Sequence, residues 1–296
     1  MTRLLLTGLT GFLGSHVARG FLSAGVEVVG IKRPSSSLDR LHDVAPKITF
    51  VDYEGRVDDL VTDQIGPVDA VIHMATRYDH ENSSAIDIIE SNIIFPINVL
   101  EVSFKCGADT FINIDTFFSH QHNYDYLPRY SMSKRHFCEW GKVLANKAGL
   151  RFLNVRLEHL YGPGDALNKF VPTIIKSLLS GQPELKLTSG EQKRDFIFID
   201  DAVQALLALV CKRTEFKQDF FHIGLGTGRS TTILDFVRIA HQLTKSETKL
   251  SFGALPYRAG EIMSSSADIS FLTALGWSPA FTPESGLAIC IAKEVG

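Results

Sequence analysis

Cysteine is scarce in this chain and undirected. Only Cys106, Cys138, Cys211 and Cys290 occur among 296 residues, with no CxxC pair and no Cys/His ligand spacing. That argues against a disulfide framework and the common zinc sites, and it predicts reduced thiols in a cytoplasmic protein. Apolar residues make up 45% of the chain, yet no run approaches the roughly 20 residues that span a bilayer, so no membrane partner is expected. The formal net charge is only −3, which gives no reason to expect nucleic acid. Met1-Thr-Arg3 leads into Leu4-Leu-Leu6 with no signal-peptide pattern. Internal repeats, low-complexity tracts and metal motifs are also missing.

What is present is an alternation of short β-branched runs and helical stretches, the signature of a parallel α/β sheet. Strands are expected at Arg3–Thr7, Glu27–Ile31, Ile48–Val51, Ala70–His73, Thr110–Ile114 and Phe152–Val155. Helices are expected over Phe12–Ala24, Val57–Asp63, Asp87–Lys105 and Tyr130–Lys147. Past Tyr161-Gly-Pro-Gly164 the alternation stops. Helices are read at Phe170–Ser180, Asp201–Val210, Ser230–Leu243 and Thr282–Ala292, and a strand at Asp195–Ile199. The expected division is a dinucleotide-binding domain over 1–165, with 195–225 returning to it, and a smaller substrate domain from 166–194 and 226–296.

The first strand runs into Thr7-Gly-Leu-Thr-Gly-Phe-Leu-Gly14. Gly8 permits a tight turn, Gly11 allows backbone to approach a pyrophosphate, and Gly14 allows a helix to pack closely on the strand. The following helix N-terminus offers N–H donors to phosphate. Gly8, Thr10, Gly11, Phe12, Leu13 and Gly14 are therefore candidate cofactor contacts, although the spacing is Gly-xx-Gly-xx-Gly. An acidic residue ending the second strand would favour NAD. Here Lys32, Arg33 and Ser35 stand in that turn, which suits the 2′-phosphate of NADPH, with NAD as the alternative. Asp52 and Tyr53 end the third strand as candidate adenine contacts. Met74, Ala75 and Thr76 follow the fourth and would line the cofactor. His73 reads as a core histidine.

Tyr130 and Lys134 lie four apart on a predicted helix, so they share one face. A nearby ammonium is expected to lower the tyrosine pKa and suit it to general acid–base work on an alcohol/ketone pair.

These segments, with Thr116, Tyr161-Gly-Pro163, Lys193-Arg-Asp-Phe-Ile-Phe-Ile-Asp-Asp201, Arg258-Ala-Gly-Glu261 and Leu275-Gly-Trp277, resemble the extended short-chain dehydrogenase/reductase family almost end to end. Its members are nucleotide-sugar epimerases, dehydratases and reductases. The resemblance implies a doubly wound Rossmann sheet with a smaller C-terminal substrate domain. It implies Thr116, Tyr130 and Lys134 as the catalytic set and Arg194 and Arg258 as pyrophosphate contacts. Lys169 and Phe170 match a segment near the nucleotide, and His159 stands where the family often has a substrate-contacting Asn. Tyr78, His80 and Phe117 are candidate sugar neighbours and Thr188 a candidate pyrimidine contact. Phe117 and Phe118 replace the Asp-Glu pair of the family's dehydratases, which argues against dehydration. Asn113–Phe118, Arg135–Phe137, Arg156–Asp165 and Thr188–Asp195 resemble the family's NADPH-dependent reductases of CDP-linked 4-keto-3,6-dideoxyhexoses. A 4-epimerase with tightly held NAD shares the triad and stays open as the alternative. The apolar Asp87–Lys105 helix further suggests a homodimer.

Overall fold

A computed structural model of the chain describes residues 2–55, 62–79, 83–119 and 127–295. Strand β1 (Arg3–Thr7) leads through the glycine loop into helix α1 (Phe12–Ser23) and strand β2 (Glu27–Lys32). Strand β3 (Ile48–Asp52), helix α2 (Thr62–Ile65) and strand β4 (Ala70–His73) follow. Of the helix expected over Val57–Asp63, residues 57–61 lie outside the described residues, as does His80. Next come helix α3 (Ala85–Ile89), a π-turn (Glu90–Ile94), helix α4 (Phe95–Lys105), strand β5 (Thr110–Thr116), helix α5 (Pro128–Ala148) and strand β6 (Arg151–Leu157).

The main sheet has seven strands in the order β3-β2-β1-β4-β5-β6-β11, where β11 is Phe220–Leu225. The pairs β1–β2, β1–β4, β2–β3 and β4–β5 are all parallel. Strand order reverses between β1 and β4, the position where doubly wound sheets bind ligands beyond their carboxyl ends. Strands β4 and β5 are buried along their whole length, as expected for central strands covered on both faces.

One expectation is corrected at Asp87–Lys105, which is not a continuous helix. Ser84 and Asp87 form a reciprocal capping box that starts α3. Pro96 then has no N–H to give the carbonyl four residues back, and its ring crowds that carbonyl. The helix widens into the π-turn, with the Phe95 N–H bonding the Glu90 carbonyl, and this aims Asn92 inward.

By compactness, residues 2–119, 127–156 and 206–223 form one unit, and 157–205 and 224–295 a second. The strand that returns to the main sheet is β11, which lies at the end of the 195–225 stretch expected to return. After β7 (His159–Tyr161), helix α6 (Phe170–Leu179), β8 (Glu184–Lys186) and β9 (Lys193–Arg194), strand β10 (Phe196–Phe198) pairs in parallel with β7. Residues 157–165 and 195–205 therefore belong to the second unit. Its remaining elements are the start of helix α7 (Ile199–Cys211), β12 (Thr231–Thr232), α8 (Ile233–Thr244), β13 (Lys249–Ser251), α9 (Ser270–Ala274) and α10 (Pro283–Val295). No helix among the described residues is long and apolar enough to cross a membrane.

Candidate functional site

The glycine loop is shaped by contacts within its own unit. Gly8 has φ +70°, and a Cβ there would lie 2.5 Å from the Ala75 nitrogen. A Cβ on Gly14 would lie 2.2 Å from the Gly8 carbonyl oxygen. Both positions are closed to any side chain. Gly11 differs: it is exposed, and its Cβ would meet only the Gly8 oxygen, at 3.2 Å. The chain itself leaves that space open, as close approach of a phosphate requires. The Gly11 N–H closes the turn on Gly8 O at 3.0 Å, and Gly11 caps α1 without a side chain. Thr10, Phe12 and Leu13 complete the loop.

Thr7 at the end of β1 ties this loop to the next. Its hydroxyl meets His73 Nδ1 at 2.8 Å and accepts from the Met74 and Ala75 N–H groups at 3.2 and 3.3 Å. His73 is fully buried, and desolvation, with the Lys134 charge, holds it well below the ordinary imidazole range. It is a neutral core histidine.

The residues expected to choose the dinucleotide divide. Lys32 Nζ pairs with Asp52 Oδ1 at 2.5 Å, so two candidate cofactor ligands hold each other across β2 and β3. Tyr53 is buried in the core of its unit, its ring against that of Phe95 with centroids 4.7 Å apart. Arg33 and Ser35 are exposed in the turn that the Ser36 N–H closes on Arg33 O.

Tyr130 and Lys134 share the inner face of α5 and are nearly sealed from water, with exposures of 5% and 4%. Pro128 occupies the first turn of α5 behind Leu127 in the left-handed region. Lys134 Nζ donates to the Ile114 carbonyl at 2.9 Å, so the helix is anchored on β5 just before Thr116. Burial pushes Lys134 down to about 8, opposed by the Asp115 carboxylate. The expected lowering of the tyrosine is reversed. Burial, then Tyr78 and Asp115, push Tyr130 well above the ordinary phenol range, while the neighbouring Thr76 side chain acts the other way.

Several of these neighbours were not singled out in the sequence. Asp115 is buried beside Thr116 and accepts from the Thr116 N–H at 2.7 Å, Ser119 Oγ at 2.9 Å and Asn154 Nδ2 at 2.8 Å. Asn92 accepts from the Arg77 N–H at 2.8 Å and the Thr76 hydroxyl at 3.3 Å. It donates to Arg77 O and to Ser133 Oγ, both at 2.9 Å. Tyr78 is stacked on Tyr130, centroids 4.9 Å apart at 23°. Phe118 is buried with its ring 6.0 Å from that of Tyr130, and half-buried Phe117 packs edge-on against Phe118.

In the second unit Arg194 is buried in a close ion pair with Glu261. Next to it Asp195 accepts from Thr227 N and Oγ1, Gly228 N and Ala267 N at 2.7–3.0 Å. Four donors leave this fully buried carboxylate satisfied, and a Cβ on Gly226 would lie 2.4 Å from it. His159 Nδ1 lies 3.5 Å from Glu158 Oε2. Burial takes Glu158 up to about 8, and burial with the Arg194 charge takes His159 down to about 3. Near neutral pH this is therefore a neutral acid beside a neutral imidazole, not an ion pair. Phe170 stacks on Phe196, Thr188 Oγ1 accepts from Gln192, and Lys169 and Arg258 are exposed. Among the described residues no group of three His, Cys, Asp or Glu is arranged to hold a metal ion.

A glycine loop at the β1/β4 reversal and a buried Tyr/Lys pair on the helix after β5 define a short-chain dehydrogenase/reductase. Residues 4–224 match the NAD dependent epimerase/dehydratase family, and the chain belongs to it. It is 37% identical over 288 residues to the CDP-abequose synthase of Salmonella typhimurium, covering 96% of this chain and 95% of that one. The Salmonella muenchen CDP-abequose synthase is 32% identical at the same coverage. Among solved structures, the UDP-glucose 4-epimerase of Thermotoga maritima superimposes with a TM-score of 0.83 at 23% identity, covering 99% of both chains. The UDP-glucose 4-epimerase of Thermus thermophilus gives 0.82 at 20% identity, covering 100% of this chain and 99% of that one. The fold is shared with these epimerases, and the chain is an NAD(P)-dependent enzyme that modifies a nucleotide sugar.

The Glu158 environment has a consequence for stability. Its folded value, about 8, lies above the ordinary 4.5. The folded state therefore holds an extra proton between those values, and the stabilisation is lost as pH rises through 8. Thermal melts from pH 5 to 8.5 should show the wild type losing more stability than Glu158→Gln. Parallel curves would show that Glu158 titrates normally.

Proposed function

We propose that this chain reduces the 4-keto group of a CDP-linked 4-keto-3,6-dideoxyhexose with NADPH. The observation that carries the reading is the near-full-length identity of 37% to a CDP-abequose synthase. Burial, then Tyr78 and Asp115, hold the phenol above its ordinary range, so it carries a proton that a developing alkoxide would take. The Phe117–Phe118 pair supplies no proton-transferring group for dehydration.

The glycine cradle fits a dinucleotide, since Gly8 and Gly14 hold the loop flat and Gly11 leaves room for phosphate. That group, when bound, supplies the hydride. Gly8–Gly14 backbone would hold its pyrophosphate, and Met74, Ala75 and Thr76 would line it. In this reading Tyr130 gives its proton to the ketone oxygen and Thr116 holds that oxygen by a hydrogen bond. Lys134 fixes α5 on β5 and carries positive charge beside the phenol. Arg194 and Arg258 grip the substrate pyrophosphate, which for Arg194 means exchanging Glu261 for phosphate. His159, Lys169, Phe170 and Thr188 are further substrate neighbours.

The test is NADPH oxidation with CDP-4-keto-3,6-dideoxyglucose. Purified enzyme should consume NADPH in proportion to substrate. Tightly bound NAD⁺ with no net consumption would identify an epimerase instead. Tyr130→Phe keeps the ring and removes the proton, so kcat should fall by about 10²–10⁴ with NADPH affinity nearly unchanged. Wild-type turnover in that variant would remove Tyr130 from the mechanism.

Because Lys32 is engaged by Asp52, the preference for a 2′-phosphate falls on Arg33. Arg33→Ala should weaken NADPH binding by roughly 1.5–3 kcal/mol, as for a lost charged hydrogen bond, and leave NADH nearly unchanged. Equal titrations of both cofactors against the wild type would contradict the assignment.

A homodimer is also proposed. Ile86, Ile89, Ile94 and Phe104 around α3 and α4, and Met132, Trp140 and Val143 on α5, are all exposed, with Trp140 at 54%. On α5 they recur with His136 at helical spacing, so they form an apolar stripe. Such a stripe on two adjacent helices suits a self-complementary interface. Light scattering at micromolar concentration should report a dimer for the wild type and a monomer for Trp140→Glu. A wild-type monomer would refute the interface.

A further inference from the structure

The first turn of α5 carries Tyr130, and its cap comes from a residue 50 positions before Arg129. The first N–H groups of a helix have no acceptor within the helix. Leu127, at the N-cap position, offers no side-chain bond, and Pro128 has no N–H to satisfy. The Arg129 N–H instead donates to Asp79 Oδ2 at 3.2 Å. Asp79 lies in the loop after β4, with its side chain only 7% exposed. The Arg129 guanidinium forms a close ion pair with the same carboxylate and donates to Ser83 O at 3.0 Å. One residue of α5 thus grips the loop at both 79 and 83.

The rest of the loop is braced toward the same point. Asn92 binds both the N–H and the carbonyl of Arg77, at 2.8 and 2.9 Å, and the Arg77 guanidinium reaches Asp87 Oδ2 at 3.1 Å. Tyr78, between Arg77 and Asp79, stacks its ring on Tyr130. The clamp is therefore next in sequence to the tyrosine on α5 and next to its stacking partner on the loop. An ion pair with a buried partner adds little net stability, because desolvation offsets the attraction. What it supplies here is geometry. A carboxylate at a helix N-terminus accepts from an N–H whose direction the helix sets, and the paired guanidinium stops that carboxylate from turning away. Together they leave the first turn of α5 little freedom to shift against the loop.

We propose that Asp79 is a positioning residue for Tyr130: by capping α5 at Arg129 it holds the phenol where the substrate oxygen must meet it. The proposal rests on Tyr130 being the group that exchanges the proton, and it applies to reduction and epimerisation alike. Asp79 acts on the reaction only through the place of the Tyr130 hydroxyl. A displacement of about 1 Å at a reacting group can cost on the order of 10²-fold in rate. Loss of the cap should therefore appear in kcat and not in binding.

A double-mutant cycle separates positioning from packing. Turnover is measured for the wild type, Asp79→Ala, Tyr130→Phe and the double variant, by NADPH oxidation with CDP-4-keto-3,6-dideoxyglucose, and NADPH binding is titrated by fluorescence on all four. Asp79→Ala should lower kcat by about tenfold or more, with KM and the NADPH dissociation constant within about twofold of wild type. Asp79→Asn, which keeps an oxygen to accept the Arg129 N–H, should recover part of that loss. In the Tyr130→Phe background Asp79→Ala should change the residual rate by less than about twofold, because the residue it positions no longer has a proton to place. Asp79→Asn, run through the same cycle, keeps the test decisive if the alanine variant does not fold. An unchanged kcat in Asp79→Ala would overturn the proposal. So would the same fold loss in both backgrounds, which would make Asp79 a brace of the fold. Wild-type turnover in Tyr130→Phe would instead overturn the assignment of Tyr130 beneath it. A wild type that consumes no NADPH overturns the ketoreductase reading alone, and the same cycle is then read on 4-epimerisation of UDP-glucose.

Discussion

The side chain of Asn92 uses all of its hydrogen-bonding capacity, two donors and two acceptor positions, on the segment 76–77 and on Ser133. Much of the Tyr130 environment depends on that amide. Through Arg77 it fixes the loop that carries Thr76 and Tyr78. Through Ser133, whose hydroxyl donates to the Tyr130 carbonyl at 2.8 Å, it fixes the first turns of α5. Asn92 reaches inward because the helix widens at the π-turn, and the turn follows from Pro96, which denies an N–H to the carbonyl four residues earlier. A local defect in helix geometry is thereby converted into a defined position for the tyrosine. Removing this amide would leave its buried partners unsatisfied, a cost of about 1–3 kcal/mol for each.

The same region carries a burden of desolvation. Lys134 is nearly sealed and its pKa is held down to about 8. The folded state therefore bears the cost of a charged ammonium at neutral pH, and that cost is relieved only as pH rises from about 8 toward 10.5. Its hydrogen bond to Ile114 O and the Asp115 carboxylate offset part of it. Asp115 is itself held by the Thr116 N–H, Ser119 and Asn154. Buried charge near a reacting group gives a large electrostatic effect per contact, because little water screens it. Such clusters reflect function more readily than stability.

What was legible in the sequence was whatever depends on neighbours along the chain. The glycine loop, β1 and β4, and the shared face of Tyr130 and Lys134 all follow from local spacing. Interactions set by distant residues were not legible. Lys32 and Asp52 were each assigned to the cofactor, but parallel pairing of β2 with β3 places them in register, and opposite charges in register pair. Tyr53 looked like a strand terminus, and Phe95, 42 residues on, makes it core. Strand Phe220–Leu225 went unread because it mixes Phe, His and Gly, whereas Asp195–Ile199 has the stronger β-branched and aromatic pattern. Pro96 was a visible warning of the π-turn, since proline inside a helical pattern breaks or kinks it.

The largest reversal concerns direction. Spacing alone puts an ammonium near a phenol, and a rule of opposite charges then lowers the tyrosine. In the folded chain Lys134 turns to a carbonyl, while burial, a second phenol and a carboxylate act on Tyr130 in the opposite sense. The motif fixes which two groups meet, and the surrounding strands and loop fix which proton state is favoured. That distinction matters within this family, whose members draw different chemistry from the same Tyr/Lys pair. The charges and hydrogen bonds around the pair, rather than the pair itself, set how readily the phenol holds its proton.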